Sequence, residues 1–196
     1  MSPSKVSGYD YGKSSTAQSP VTMAELRQLE AAVGWSENDA TVLQRHGEIF
    51  KNRAEQMVDA WRAVIGSQPH LAKWFFGPDG KPDDEYKAKV KKRFVQWVND
   101  ACFRSHDQAW LDYQEEIGLR HTPEKKNLTD DAHTPPQVPL RYLIGFATVV
   151  SITTRDFFLE DGVRGEELQR LADAWSRTVQ LHIALWARPY VRDGLW

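Results

Sequence analysis

The segment from Trp110 to His121, with the sequence WLDYQEEIGLRH, combines helical periodicity with a histidine on its apolar side. At 3.6 residues per turn, side chains three or four positions apart share one face of a helix. The residues that share this face are Trp110, Tyr113, Ile117 and His121. The charged side chains fall mainly on the other sides, which is typical of a half-buried helix. The segment therefore predicts an amphipathic helix whose apolar face ends in an imidazole.

A histidine on an apolar face needs a polar partner, and the residues alone leave two interpretations open. In the first, His121 is a core histidine whose ring nitrogen bonds a backbone carbonyl, which is the commoner situation for an isolated histidine. In the second, His121 is an axial ligand to haem iron. A single neutral imidazole suffices for that role, and apolar side chains then line the faces of the macrocycle.

Composition restricts the class of protein. The chain has 196 residues, 41% of them hydrophobic and 27% charged, which fits one domain with a sizeable core. A formal net charge of −2 gives no reason to expect nucleic acid as a partner. The single cysteine, Cys102, excludes an intramolecular disulfide, and the N-terminus lacks the apolar core of a signal peptide. We therefore expect a cytoplasmic protein.

No membrane span is expected either. The longest apolar run, from Tyr142 to Thr154, is bracketed by Arg141 and Arg155. It is shorter than the roughly 18 residues that a transmembrane helix needs, and its length suits a buried helix of a bundle.

Start and stop signals predict helices throughout the chain. Residues 1–20 form an irregular arm with Tyr9 and Tyr11 as anchors, and residues 21–196 form a single domain. A capping box at Thr22/Glu25 and a stop at Gly34 predict a first short helix. A start signal at Ser36/Asp39 predicts one long helix, or two in series, up to Gly66. Asp83 or Asp84 caps the next helix. Further helices are predicted over 140–160 and 165–191. The fold class is therefore all-α.

The helix that follows Asp84 has an apolar face and a basic back. Its apolar face comprises Tyr86, Val90, Phe94, Trp97, Val98 and Ala101. Five lysines and arginines between positions 87 and 93 lie mainly on its other sides. Such a cluster is one way to bind RNA, but a solvated helix surface is the commoner meaning of a basic run.

Cys102 and His106 are four residues apart, and two ligands do not make a structural zinc site.

Several motifs show that the chain resembles the protoglobins, single-domain haem globins related to the sensor domains of globin-coupled sensors. The motifs are Gly8-Tyr9-Asp10-Tyr11-Gly12, WLDYQEEIGLRH, the 125–130 loop KKNLTD, VPLRYLIGF at 138–146 and LWARPYVRDG at 185–194. The resemblance implies a globin fold of the 3-over-3 type with an extra N-terminal helix and arm. It also implies haem b as cofactor, reversible binding of O2, CO and NO, and a homodimer formed through the last two long helices.

The resemblance also implies roles for individual residues. His121 matches the proximal histidine that binds iron, and Phe94 matches the distal phenylalanine. Phe146 matches a second pocket phenylalanine, Trp61 matches a distal tryptophan, and Val150 stands where the family commonly has isoleucine. Phe94, Phe146 and Val150 are equally acceptable as plain core residues.

Two arginines near these positions have alternative roles. Arg93 is a candidate partner for a haem propionate, because a guanidinium fork matches a carboxylate, or it is a solvated surface residue. Arg62 departs from the family, in which relatives carry a tyrosine that donates to the ligand at the iron. We expect Arg62 to point outward or to pair with a propionate, because an unpaired buried charge is costly. In the alternative, Arg62 points at the iron and its positive charge favours anionic ligands.

Three functional classes follow from these residues. The first is a haem protein that binds, scavenges or senses diatomic gases. The second is a haem enzyme with NO dioxygenase or peroxidase-like activity, for which Arg62 is the only support. The third is a sensor module that signals to a separate partner. The excess of apolar positions in the last two helices agrees with the implied homodimer, although a wide core stripe is the simpler interpretation.

Overall fold

Eight α-helices make up most of the computed structural model, which describes residues 6–191 and 194–196. They are α1 Met23–Val33, α2 Glu37–Arg45, α3 Gly47–Gly66, α4 Pro69–Ala72, α5 Asp84–Phe103, α6 Gln108–Leu119, α7 Leu140–Glu160 and α8 Gly165–Ala187. Two 3-10 turns follow α4 and α8, at Lys73–Phe75 and Arg188–Tyr190. Within the described residues, extended pairing is limited to one bridge between Phe76 and Pro82. Residues 1–5 of the predicted arm, and Arg192 and Asp193 of the last motif, lie outside the described residues.

The predicted helix starts are present where a side chain can satisfy free backbone N–H groups. Thr22 accepts from the Glu25 N–H while the Glu25 carboxylate accepts from the Thr22 N–H, which is a complete capping box. Gly34 ends α1 with φ of 72°, a left-handed conformation that glycine adopts without strain. Ser36 and Asp39 form the second capping box at the start of α2.

The structure decides between the two alternatives for the run toward Gly66, and it differs from the sequence prediction at both ends of α6. The long run toward Gly66 is two helices in series, because the chain breaks at His46, whose Nε2 lies 2.8 Å from a Glu167 oxygen. Asp107 caps α6 by accepting from the Trp110 N–H, so this helix begins two residues earlier than predicted. The helix also ends at Leu119, which places His121 in the turn that follows it.

The core is divided between two clusters of buried side chains. The larger joins α3, α5, α7 and α8 and centres on fully buried aromatics such as Phe50, Trp61 and Trp175. The smaller lies where α1 and α6 meet α8 and contains Trp35 and Trp110. Helix α8 belongs to both clusters and packs against α2, α6 and α7. It therefore connects the two halves of the domain.

Residues 6–20 lie across α5 and α6. The Tyr9 hydroxyl donates to an Asp100 carboxylate oxygen over 2.7 Å, and the Tyr9 ring meets the Tyr113 ring edge-on at 5.2 Å. Arg120 donates to the Gly8 carbonyl and pairs with Asp10. The segment is thus attached through tyrosine rings and through a guanidinium from the end of α6.

Helix α7 is long and apolar enough to cross a membrane if only length and composition are considered, with a mean hydropathy of 1.3. The predicted apolar run of 142–154 is shorter because it stops before Arg155, whereas α7 continues through this arginine to Glu160. Core helices of globular domains pass the same test. Here α7 packs against α3 and α8 and contributes Leu143, Ala147 and Phe158 to the core.

Candidate functional site

A cavity of about 350 Å³ lies among α3, α4, α5, α6, α7 and α8. Its volume falls in the range of about 300–1,000 Å³ that is typical of small-molecule sites. The apolar part of its wall includes Ile65, Leu71, Val90, Phe94, Trp97, Ile117, Leu143, Phe146, Val149 and Trp186. The cavity is therefore a mostly apolar space between helices that the sequence makes amphipathic.

His121 lines this cavity and is held in a defined orientation. Its Nδ1 lies 2.8 Å from the carbonyl oxygen of Ile117, one turn back along the chain. Because a carbonyl only accepts, Nδ1 carries the proton and Nε2 carries the lone pair. The backbone carbonyl of His121 accepts from the Val138 N–H at 2.9 Å and from the Tyr190 hydroxyl at 3.0 Å. No described residue hydrogen-bonds Nε2, which leaves the lone pair free for a ligand in the cavity.

The imidazole of His121 is neutral at physiological pH. Burial lowers the pKa of His121 to about 4, and the positive charges of Lys126 and Arg120 act in the same direction. A neutral imidazole whose other nitrogen donates to a carbonyl is the form in which histidine binds metals. Burial likewise lowers the pKa of His182, on α8, to about 3.

These two histidines make the stability of the protein dependent on pH. In the unfolded chain both have the ordinary histidine pKa of about 6.5. As the pH falls from 6.5 toward 4, these histidines become protonated in the unfolded chain but stay neutral in the folded chain. The free energy of unfolding therefore decreases. We expect urea-unfolding midpoints to fall across this window. In His182→Gln the fall should be shallower, and an equal slope in both proteins would contradict the assignment.

Gly118 allows α6 to approach the end of α8 closely. A Cβ at this position would lie 3.1 Å from Pro189 Cγ and 3.2 Å from the Trp186 Cα. The first of these neighbours is a ring and the second is backbone, so neither moves easily. The imidazole of His121 stacks on the Trp186 ring at 5.9 Å, with 21° between the ring planes. The absence of a side chain at 118 therefore permits the packing that holds the histidine in place.

Lys126 is a buried cation beside the cavity that the sequence analysis did not select. Its Nζ donates to the Trp74 carbonyl at 3.0 Å and to the Thr134 hydroxyl, and none of the described carboxylates pairs with it. Burial lowers the pKa of Lys126 to about 8. The Trp74 indole N–H is buried without a partner. The only sequence signal for Lys126 was its place in the 125–130 motif, and Trp74 had none.

The residues around the cavity fit an iron porphyrin. His121 offers one neutral nitrogen, and the walls are apolar and rich in aromatic rings. Lys126 and the Trp74 indole supply donors that lack an anionic partner, and Arg141 adds a further cation to the lining. An iron porphyrin needs this set of groups: an axial ligand, apolar faces and cations for its carboxylates.

The sequence model of the Protoglobin family matches residues 22–196. The chain belongs to this family. The match leaves the N-terminal arm outside it. No curated protein matches the chain.

A solved structure shows the fold of this protoglobin. The globin domain of a Geobacter sulfurreducens globin-coupled sensor is similar to it with a TM-score of 0.68 and 16% identity, over 88% of this chain and 99% of that one. At this level of identity the similarity confirms the predicted globin fold. Helix α1 is the predicted extra N-terminal helix.

The apolar residues that the family resemblance selected divide into two groups. Phe94 and Phe146 line the cavity, with their ring centroids 6.3 Å apart. Trp61 is fully buried behind them, 5.2 Å from the Phe94 ring, and does not line the cavity. Val150 is also in the core, and Val149 lines the cavity instead. Trp61 and Val150 therefore lie in the core and not in the cavity wall.

Arg93 lines the cavity, but its guanidinium is already paired. Its Nη1 donates to Asp130 Oδ1 and to the Ser7 carbonyl, both at 3.0 Å, and Nη2 donates to Asp130 Oδ2. The Asp130 side chain is 1% exposed and that of Arg93 is 13% exposed. The bidentate fork proposed for a propionate thus holds a carboxylate of the segment between α6 and α7, and it also contacts the arm.

Arg62 lies at the edge of the cavity with a weak partner. Its Nη1 is 3.8 Å from an Asp59 oxygen, and its side chain is 26% exposed. The same Asp59 also pairs with Lys91 at 2.8 Å. Arg62 therefore lines the cavity while its charge is directed to a carboxylate on its own helix.

Cys102 and His106 do not form a metal clamp. Cys102 is buried in the larger core cluster, whereas His106 Nδ1 donates to a Glu30 carboxylate oxygen at 2.7 Å. Among the described residues no group of three or more metal-ligating side chains occurs.

Proposed function

We propose that this protoglobin is a haem b protein that binds O2, CO and NO reversibly at an iron held by His121, for gas binding, scavenging or sensing. The observation that carries the proposal is the His121 ring, which donates Nδ1–H to the Ile117 carbonyl and presents Nε2 to an apolar cavity. Membership of the Protoglobin family and the globin fold support a haem role of this kind.

Each part of the cavity has a task in this function. Haem iron, when bound, supplies one free coordination position for a diatomic gas. The Ile117 carbonyl fixes the tautomer of His121 and makes its Nε2 more basic. Phe94 and Phe146 exclude water from the cavity. Lys126 supplies a buried positive charge for a propionate, since Arg93 is occupied by Asp130.

Absorption spectra test this proposal directly. Protein purified with a supply of haem is measured in the ferric, ferrous and CO-bound states, and the haem type is read from its pyridine complex. We expect a Soret band that shifts on reduction and again on addition of CO, and that returns when CO is removed. Haem-supplied protein without a Soret band would overturn the proposal.

A second candidate function, a haem enzyme acting on NO or peroxide, depends on Arg62. The cation lines the cavity and its ion pair with Asp59 is long, so an anion inside the cavity competes for it. Our primary expectation is that Arg62 stays with Asp59, because a partly exposed pair is worth about 0.2–1 kcal/mol and an unpaired buried charge costs more.

Replacing Arg62 by alanine distinguishes these two functions. We expect the O2 dissociation rate and the cyanide affinity of Arg62→Ala to equal those of the wild type, measured by stopped flow and by titration of the ferric protein. Arg62→Lys, which keeps the charge, is the matched control. A large loss of cyanide affinity in the alanine variant alone would favour the enzyme.

We also propose a homodimer formed through α7 and α8. Ile144 and Ile152 on α7 are 55% and 64% exposed, and burying such side chains is worth about 1.5–3 kcal/mol each. We expect a dimeric mass for the wild type and a monomeric mass for Ile152→Glu in sedimentation analysis. Leu128→Glu, at a loop residue that is 76% exposed, is the control and should stay dimeric. A monomeric wild type at micromolar concentration would contradict the proposal.

A further inference from the structure

Six aromatic rings in contact lead from the cavity wall to the linker between α1 and α2. This aromatic row consists of His121, Trp186, His182, Trp110, His106 and Trp35. Successive ring centroids in this order are 5.9, 5.8, 5.4, 3.9 and 4.2 Å apart. Its rings come from α6, from α8, from the loops at the two ends of α6 and from the linker between α1 and α2. The row therefore crosses the boundary between the two core clusters.

Packing alone does not account for the polar atoms of the row. His182 is 1% exposed and its Nε2 has no hydrogen-bond partner, and the indole N–H of Trp110 is also unpartnered. A buried polar atom without a partner costs free energy that a leucine or phenylalanine would avoid. The row thus retains tryptophan and histidine where apolar side chains would pack at lower cost.

The chemistry of these side chains suits electron transfer. Indole is among the side chains most easily oxidised by one electron, so Trp186, Trp110 and Trp35 are the carriers of the row. Transfer rates fall steeply with distance, and the imidazoles between the indoles provide closely packed rings across which the electron passes. Burial lowers the pKa of both His106 and His182, which keeps these imidazoles uncharged. Neutral rings between the indoles avoid the repulsion that a fixed positive charge would exert on an oxidised tryptophan.

We propose that the aromatic row carries electrons, one at a time, from the surface near Trp35 to the cavity when a hydroperoxide is reduced there. The inference rests on the proposed function, because haem is the group that would reduce the peroxide. The hydroperoxide takes up two electrons and two protons, its O–O bond breaks, and an alcohol and water result. Two molecules of a phenolic donor each lose one electron and one proton, which balances the reaction.

Proton positions along the row agree with this role. The Trp97 indole donates to His182 Nδ1 at 2.9 Å, so the proton of the neutral His182 imidazole is on Nε2. Trp97 lines the cavity, and its ring lies 5.5 Å from those of Trp186 and His182. Trp110 has no acceptor, so its oxidised form keeps its proton and passes the charge on.

A reductant would deliver its electron at the Trp35 end of the row. Trp35 keeps 9% of its surface exposed, and the neighbouring Arg27, which donates to the His106 carbonyl, is about half exposed. A phenol that is too large for the cavity can therefore give up its electron at this surface without reaching the haem.

The position of oxidation in the protein tests the proposal. Ferric haem-loaded protein with a normal Soret band is treated with hydrogen peroxide without a donor, digested, and examined by mass spectrometry. We expect oxygenated Trp35 in the wild type and its loss in Trp110→Phe, which interrupts the row. Trp175→Phe is the matched control, because Trp175 is equally buried and contacts Trp97 but lies outside the row. Haem-free protein should show no modification of Trp35.

A second variant covers the case in which Trp110→Phe does not fold. In Trp35→Phe a phenol should no longer quench the tryptophanyl radical that peroxide generates, as observed by electron paramagnetic resonance. Quenching at the wild-type rate, or equal oxidation of Trp35 with and without Trp110, would overturn the proposal. A normal Soret band with unmodified Trp35 overturns this role alone, whereas a missing Soret band overturns the proposed function and this role with it.

Discussion

His121→Ala is expected to bind no haem after purification, whereas the wild type carries a full complement. The variant removes the Nε2 lone pair that His121 presents to the cavity, and it leaves the apolar walls unchanged. Apolar contacts alone do not hold the iron in a defined coordination state. The ratio of Soret to protein absorbance measures the loss, and circular dichroism checks that the helices are intact.

A second histidine of the same cavity provides the control for this variant. His70 also lines the cavity, where its ring lies 5.6 Å from that of Tyr142. His70→Ala should keep a normal Soret band and normal binding of CO. Added imidazole should partly restore haem binding to His121→Ala, because it can occupy the space of the missing ring. Full haem retention by His121→Ala, or loss in His70→Ala alone, would show that the ligand has been misassigned.

Arg93→Met is expected to lower the free energy of unfolding of the haem-free protein by about 3–5 kcal/mol, the cost of leaving one partner of a buried ion pair uncompensated. The Asp130 side chain is 1% exposed, and both of its oxygens accept from Arg93. Removing the guanidinium leaves this carboxylate without its cation. Urea unfolding followed by circular dichroism measures the change.

The double variant Arg93→Met/Asp130→Asn separates two roles of the arginine. If Arg93 serves only Asp130, neutralising the carboxylate should recover most of the lost stability, and haem affinity should equal that of the wild type. If Arg93 also holds a propionate, the double variant recovers its stability but still loses haem faster to an acceptor protein. An equal loss of stability in single and double variants would contradict the ion-pair explanation.

Local signals in the sequence were sufficient to place most helices. The capping box at Thr22 and the glycine stop at Gly34 each satisfy backbone groups within four residues, so the pattern contains the whole interaction. The sequence left open whether the run toward Gly66 is one helix or two, and the break lies at His46, whose ring contacts Glu167, 121 residues away. Ends that depend on distant partners are those that periodicity misses.

The candidate site shows the same division between local and distant information. Helical spacing and the family resemblance placed His121, Phe94 and Phe146 on one cavity. They did not show that Arg93 is occupied by Asp130, because that pair joins a helix to an irregular loop of a polar segment. The buried ammonium of Lys126 was missed for a similar reason, since a lysine in such a segment is normally solvated.

Gly118 affects the position of His121, the proposed iron ligand. The distance between the backbones of α6 and α8 is set where residue 118 meets Trp186 and Pro189. This distance determines where His121, three residues further along the chain, lies in the cavity. A methyl group there would act as a spacer and tilt the ring. A side chain at 118 therefore requires a wider crossing of α6 and α8, and the wider crossing changes the direction in which His121 Nε2 faces the cavity.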